Sequence, residues 1–256
     1  MIIQYSDNIL IGDFINTLPA VIALKQKYNA DKVYLKFPCR IPQYKYEILD
    51  MIPKKHNIKF VTSNQTDPIT CYFKFQTSEL WSSQNKDIGE MSRAHFYTLG
   101  LDIPDIPPRL ELELNPKYDT NIIADFGLAP FSSSRKSNEL WPKRKWKRLV
   151  NYFSDKTFVL FGAENDDSNF ITGPNVIPLF GHPLQEVAWT MKKIKLLIAV
   201  NSAPQHLSYC LNIPTLLFSN HPYGRWGINY DAIEIKTTNV ANVSVETVIN
   251  EIQRFL

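Results

Sequence analysis

An α/β fold built on parallel sheets is what this sequence predicts, on three observations. The first is the stretch Leu196 to Phe218, LLIAVNSAPQHLSYCLNIPTLLF. An apolar run, Leu196 to Val200, leads into the polar turn Asn201-Ser202-Ala203-Pro204-Gln205-His206. Leu207, Cys210 and Leu211 then follow at helical spacing, Asn212-Ile213-Pro214 closes the helix, and a second apolar run spans Thr215 to Phe218. That order, strand, turn, helix, turn, strand, is one βαβ unit of a parallel sheet. The second observation is that short apolar runs recur along the chain with helical patterns between them. The third is the rigid, turn-rich segment Ile103-Pro-Asp-Ile-Pro-Pro108, followed by Asn115-Pro116. It divides the chain into residues 1–117 and 118–256, read as two α/β domains facing across a cleft.

The elements follow in order. Met1 to Tyr5 reads as a strand, and Ile9 to Asp13 as the turn leading into a helix over Thr17 to Tyr28. Leu18, Val21, Ile22 and Leu24 carry the helical spacing there. Val33 to Phe37, Ile58 to Val61 and Tyr72 to Phe75 read as strands, and Met91 to Leu99 as a helix. In the second half, strands are expected near Asn121 to Ala124, Thr157 to Phe161, Val176 to Leu179, Leu196 to Val200 and Thr215 to Phe218. A helix over Val245 to Leu256 closes the chain. There are no internal repeats and no low-complexity segments.

Composition sets the outer limits. With 256 residues, 44% of them hydrophobic, the chain can bury a substantial core. A formal charge of +3 is mild, so nucleic acid is not an expected partner. Cys39, Cys71 and Cys210 are far apart and form no CxxC, which points to reduced thiols rather than disulfides or a metal. No apolar run approaches the roughly 18–20 residues that span a bilayer. The expectation is a cytoplasmic protein, with peripheral contact at the inner face of a membrane left open.

The turn after Val200 carries the chemistry. Ser202 stands where an N-cap belongs, and Pro204 sits near the first helical position. The first-turn amides then point at the carboxyl edge of the sheet, where open α/β folds bind ligands. With the helix dipole behind them they favour an anion, typically phosphate, and His206 in the same turn could donate to it.

Five segments resemble one family in its own order. Gly12-Asp13-Phe-Ile-Asn16-Thr17-Leu-Pro19 with Leu24-Lys25 looks like the opening motif of the ADP-heptose:lipopolysaccharide heptosyltransferases, glycosyltransferase family 9. Ser132-Ser-Ser-Arg135-Lys136 with Trp141-Pro142 and Trp146 resembles its phosphate loop and Trp-Pro-x-x-x-Trp segment. Phe161-Gly162-Ala-Glu164-Asn-Asp166, Gly181-His182-Pro-Leu184-Gln-Glu-Val187 and Asn201-Ser-Ala-Pro-Gln-His206-Leu207 resemble the remaining three.

The resemblance implies two Rossmann-like domains of GT-B type and transfer of a sugar from a nucleotide-diphospho-sugar to a glycan or glycolipid acceptor, such as a lipopolysaccharide core. It implies that the short N-terminal domain serves the acceptor, with Gly12 and Asn16 on that side, and that the C-terminal domain holds the donor. Asp13 would be the general base. Ser133, Ser134, Arg135, Lys136, Asn201, Ser202, Ala203 and His206 would grip the diphosphate. Glu164, Asp166 and His182 would meet the nucleoside. No metal and no cofactor are expected. Three positions depart from the family pattern: Asn201 stands for Asp, Ala203 for Gly and Glu139 for Lys. Two other readings stay open, a nucleotide-sugar epimerase or hydrolase and a non-catalytic binding descendant.

The basic run Lys143-Arg144-Lys145-Trp146-Lys147-Arg148 precedes Leu149, Val150 and Phe153 at helical spacing. Its charges are expected on the outer face of an amphipathic helix. Cations in a first helical turn oppose the dipole. An anionic partner, acceptor phosphates or an acidic membrane surface, would offset that.

Overall fold

Runs such as Leu196 to Val200 have no polar face, so they suit only a strand covered on both sides. The computed structural model describes residues 1–5, 9–38, 41–61, 70–73, 91–132, 140–219 and 231–256. It places every described strand in one of two parallel sheets. The chain divides into two compact units, the first running to Glu113 and the second beginning at Leu114.

In the N-terminal unit, β1 (Ile2–Tyr5) lies between β2 (Val33–Lys36) and β4 (Thr70–Phe73), with β3 (Ile58–Phe60) beyond β2. Ile3 pairs with Leu35 on one side and with Cys71 on the other. Helix α1 (Ile11–Lys27) follows β1, α2 (Gln43–Met51) follows β2, and α3 (Met91–Thr98) packs against α1. An aromatic cluster fills this core. Tyr5 stacks on Phe37 at 4.3 Å, and Phe14 meets Phe37 edge-on at 5.9 Å. The Tyr5 hydroxyl and the Thr17 hydroxyl share a 2.9 Å hydrogen bond, and Thr17 donates back to the Phe14 carbonyl. Lys45 is fully buried, its Nζ 3.9 Å from the centre of the Phe37 ring. A ring face is a favourable neighbour for an ammonium that has lost its water.

The structure moves the start of α1. The helix expected from Thr17 begins at Ile11, with Leu10 as an N-cap that makes no side-chain capping bond. Asp13 is therefore in the first helical turn, not in a loop. The reason is burial: Phe14, Ile15 and Leu18 are all core residues, and helical winding brings them to one face. Pro19 is accommodated inside the helix.

Burial pushes the His95 imidazole in α3 down to about 3. The unfolded chain takes up that proton below about pH 6.5, whereas the folded chain does not. Stability is therefore intact above pH 6.5 and falls by about 1.4 kcal/mol per pH unit below it, as far as the folded value. Urea unfolding at pH 7 and pH 5 should show this slope for the wild type and a flatter one for His95→Met. Equal slopes would show that the histidine is not the group responsible.

In the C-terminal unit the strands are β5 (Phe126–Ala129), β6 (Phe158–Gly162), β7 (Val176–Phe180), β8 (Leu196–Val200), β9 (Thr215–Ser219) and β10 (Ile233–Lys236). Their order is β10-β9-β8-β5-β6-β7. Helices α4 (Lys143–Tyr152), α5 (Leu184–Met191), α6 (Ala203–Cys210) and α7 (Val245–Phe255) connect or follow them. The first of these strands lies after the expected Asn121 to Ala124. Asp125 explains the shift: its carboxylate accepts from the Thr157 amide at 3.0 Å and from Lys195 at 2.8 Å. Pairing starts only beyond that anchor, at the wholly buried Phe126 to Ala129.

The Trp-Pro-x-x-x-Trp segment is a packing device. Trp141 is 1% exposed, lies nearly parallel to Phe218 at 5.1 Å, and donates its indole N–H to the Val243 carbonyl at 2.9 Å. Trp146 is fully buried, stands edge-on to Trp141 at 5.0 Å, and donates to the Trp141 carbonyl. Together they tie the start of α4 to β9 and to the turn before α7. Three of the basic residues of α4 find partners within the unit. Lys143 pairs with Asp167, Arg148 with Glu246, and Lys145 donates to the carbonyls of Ala241 and Val243. Those carbonyls offset the cation in the first turn.

Candidate functional site

Strand order locates the site in the C-terminal unit. From β5 the chain steps outward through β6 and β7, then returns to build β8, β9 and β10 on the other side of β5. Neighbours β5 and β8, paired from Phe126↔Leu196 to Ala129↔Ala199, thus send their following loops in opposite directions. A crevice forms at the carboxyl ends of two such strands, and open α/β sheets bind ligands there.

From β8 the chain enters this crevice as Asn201 and Ser202. Ser202 has extended backbone angles, φ −156° and ψ 177°, and is the N-cap of α6. Its hydroxyl makes no capping bond and instead donates to the Val200 carbonyl at 3.3 Å. Ala203 opens the helix with Pro204 beside it. The left-handed backbone that glycine would supply is not used: residues with positive φ other than glycine are Asn29, Asn57 and Asn212 among those described. A Cβ at position 203 is therefore tolerated.

The His206 ring is 5% exposed. It packs against Gln205, whose Nε2 lies 3.1 Å from its Nε2. The same Gln205 amide donates to Asn201 Oδ1 at 3.0 Å. Gln205, itself 1% exposed, thus braces the turn from inside. Asn201 precedes the N-cap, so the bond joins the entering turn to the first turn of α6 and no helical spacing in the sequence signals it. The amide of Asn201 has a clear use here, as the acceptor for that bond.

On the β5 side, Pro130 and Phe131 follow the strand. Ser133, Ser134, Arg135, Lys136 and Glu139 lie outside the described residues. One and two strands further on, β6 and β7 end at Gly162 and Phe180. Gly181 takes a left-handed φ of +65° and its N–H bonds the Gly162 carbonyl. A Cβ built there would stand 3.1 Å from the Glu164 Cβ. Glu164 and His182 are thereby neighbours on the same sheet edge as Ser202, and both are exposed. Asp166 closes its own loop, accepting from the Ala163 amide at 2.7 Å, and His182 Nδ1 meets Glu186 at 2.7 Å.

In the N-terminal unit, β1 sits between β2 and β4, so its carboxyl end is the corresponding switch point of that sheet. The start of α1 follows it. Gly12 is buried, Asp13 is half-buried, and Asn16 is completely buried. Among the described residues no group of three or more His, Cys, Asp or Glu side chains could hold a metal ion. Nor is any described helix long and apolar enough to cross a membrane.

The pattern of glycosyltransferase family 9 (heptosyltransferase) matches residues 88–250, more than half of the chain. The chain belongs to glycosyltransferase family 9. It is accordingly a nucleotide-sugar-dependent glycosyltransferase, and the epimerase, hydrolase and binding-only readings are not favoured. No curated protein matches the sequence. Solved structures share the fold over nearly its whole length. The glycosyl transferase family 9 from Veillonella parvula DSM 2008 is 15% identical with a TM-score of 0.74, covering 99% of this chain and 96% of that one. ADP-heptose lipopolysaccharide heptosyltransferase II of E. coli is 12% identical with a TM-score of 0.74, covering 99% and 98%. TibC from enterotoxigenic E. coli H10407, a dodecameric iron-containing heptosyltransferase solved with ADP-D-beta-D-heptose, is 14% identical with a TM-score of 0.69, covering 99% and 76%. At these identities the likeness is one of fold, and it is the two-sheet α/β fold that this family 9 chain displays.

Proposed function

We propose that this family 9 chain transfers a heptose from ADP-heptose to a saccharide acceptor of the lipopolysaccharide-core type. The observation that carries the reading is the β8–α6 turn at the switch point of the second sheet, in a chain of this family. The related TibC is described with ADP-D-beta-D-heptose bound, which supports an ADP-linked donor. In this reading the donor diphosphate sits at the N-terminus of α6, at the Ala203 N–H, with Arg135 and Lys136 supplying positive charge. Pro204 has no N–H, and that of Gln205 is bonded to the Ser202 carbonyl. Glu164, Asp166 and His182 serve the nucleoside from the same sheet edge. The acceptor hydroxyl attacks the anomeric carbon, the bond from that carbon to the diphosphate oxygen breaks, and Asp13 takes the hydroxyl proton. The leaving ADP carries the electron pair, and its charge is stabilised by the helix terminus and the cations. The N-terminal unit serves the acceptor, and the reaction requires no cofactor.

Two measurements test this. ADP-heptose incubated with the protein and a truncated lipopolysaccharide core should release ADP and extend the core by one heptose, read by mass spectrometry. Absence of both products across heptose-deficient cores would overturn the reading. Second, Ala203→Pro removes one first-turn N–H while keeping a residue suited to the start of a helix, after an extended Ser202. It should weaken ADP binding by about 1–3 kcal/mol, the scale of a hydrogen bond to a charged group. Unchanged affinity by calorimetry would put the diphosphate somewhere else. Ser202→Ala should matter less, since the hydroxyl faces the Val200 carbonyl.

A further inference from the structure

Among the described residues, Asn16 is a polar side chain whose burial lacks a local explanation. It is 0% exposed, and neither its Nδ2 nor its Oδ1 has a hydrogen-bond partner. The next residue shows the contrast, because the buried Thr17 hydroxyl is satisfied twice, by Tyr5 and by the Phe14 carbonyl. A buried amide with donor and acceptor both unmade is costly, and folds keep such groups where function needs them. A leucine, with the same branching though larger, would bring no unmet polar atoms and would favour the helix more.

Position gives the amide a use. Asn16 lies three residues after Asp13 on α1, so the two share a face one turn apart. Helical side chains lean toward the N-terminus, so the Asn16 amide lies over the turn that Asp13 begins. Asp13 is half-buried and thus within reach of solvent and ligand, whereas Asn16 is closed off behind it.

We propose that Asn16 is a positioning residue: when donor and acceptor occupy the site, its buried Nδ2–H donates to the Asp13 carboxylate and fixes the oxygen that receives the acceptor proton. The inference rests on the transferase reading above, with Asp13 as base. It makes the amide in the free chain a donor held in reserve. A donor to an ionised carboxylate favours the charged form and lowers its pKa. Loss of that donor therefore raises the pKa of the base, and the rate declines at a higher pH on acidification.

Asn16→Leu tests this. The variant should melt at or above the wild-type temperature and bind ADP within about twofold of it. Turnover of ADP-heptose should fall about tenfold to a hundredfold, the cost of misplacing a base. The acid limb of the pH–rate profile should move to higher pH. Unchanged turnover with an unchanged acid limb would overturn the proposal. So would a melting temperature several degrees lower, since that would reveal a buried partner such as an internal water. A wild-type protein that turns over no ADP-heptose would defeat the transferase reading instead. The inference is then decided by melting and by a carbon NMR titration of the Asp13 carboxyl in the presence of ADP-heptose. A titration that Asn16→Leu leaves in place would overturn it.

Discussion

Asp13→Asn should bind ADP as the wild type does and transfer sugar about 10²–10⁴ times more slowly, the usual cost of removing a general base. The structure sharpens this expectation. Asp13 stands in the first turn of α1, where a carboxylate is favoured by the helix dipole. That placement alone gives the residue a structural use, so stability must be read alongside rate. An Asn in the first turn loses the charge term with the dipole, about 0.3–1 kcal/mol. A small fall in melting temperature with a large fall in turnover identifies the base. Equal turnover in the two proteins would reduce Asp13 to a helix-terminus charge.

Trp141→Ala should destabilise the C-terminal unit by about 3–5 kcal/mol, the scale for truncating a buried tryptophan to alanine. Three things are lost at once: the stack on Phe218, the edge contact with Trp146 and the bond to the Val243 carbonyl. Lys145 still donates to that carbonyl, which limits the penalty at this one atom. Trp141→Phe keeps a ring and loses the N–H, so it should cost less than half as much. Denaturant unfolding of the three proteins decides it. A Trp141→Ala cost below about 1 kcal/mol would mean the tryptophan pair is not what joins α4 to β9.

Legibility in the sequence followed burial. The β8–α6–β9 unit could be read directly because a central parallel strand is apolar throughout and its helix opens with Ser202 and Pro204. The start of α1 could not, since Leu10 offers no capping side chain and nothing marks Ile11 as a beginning. Helix α2 escaped notice because Lys45, a charged residue, occupies a core position over the Phe37 ring. Strand β10 is an edge strand with the pattern IEIK, too short and too charged to stand out. Within the site, spacing put Asn201, Ser202 and His206 on one turn but could not say where each side chain points. The His206 ring proved to be buried against Gln205. The basic run is the plainest case. Lys143, Lys145 and Arg148 meet partners 24, 96 to 98, and 98 residues away, and only the fold reveals them.

The buried tryptophan pair also supplies two clocks. The indole proton of Trp141 is held by Val243 and that of Trp146 by the Trp141 carbonyl, both shut away from water. Trp189 donates to the Asn115 carbonyl from a more open position. In deuterium the Trp189 signal should therefore fade before those of Trp141 and Trp146, through local opening. The other two signals should persist until the whole C-terminal unit opens and then vanish together. Their common lifetime would report the opening of that one unit, without denaturant and without any substrate.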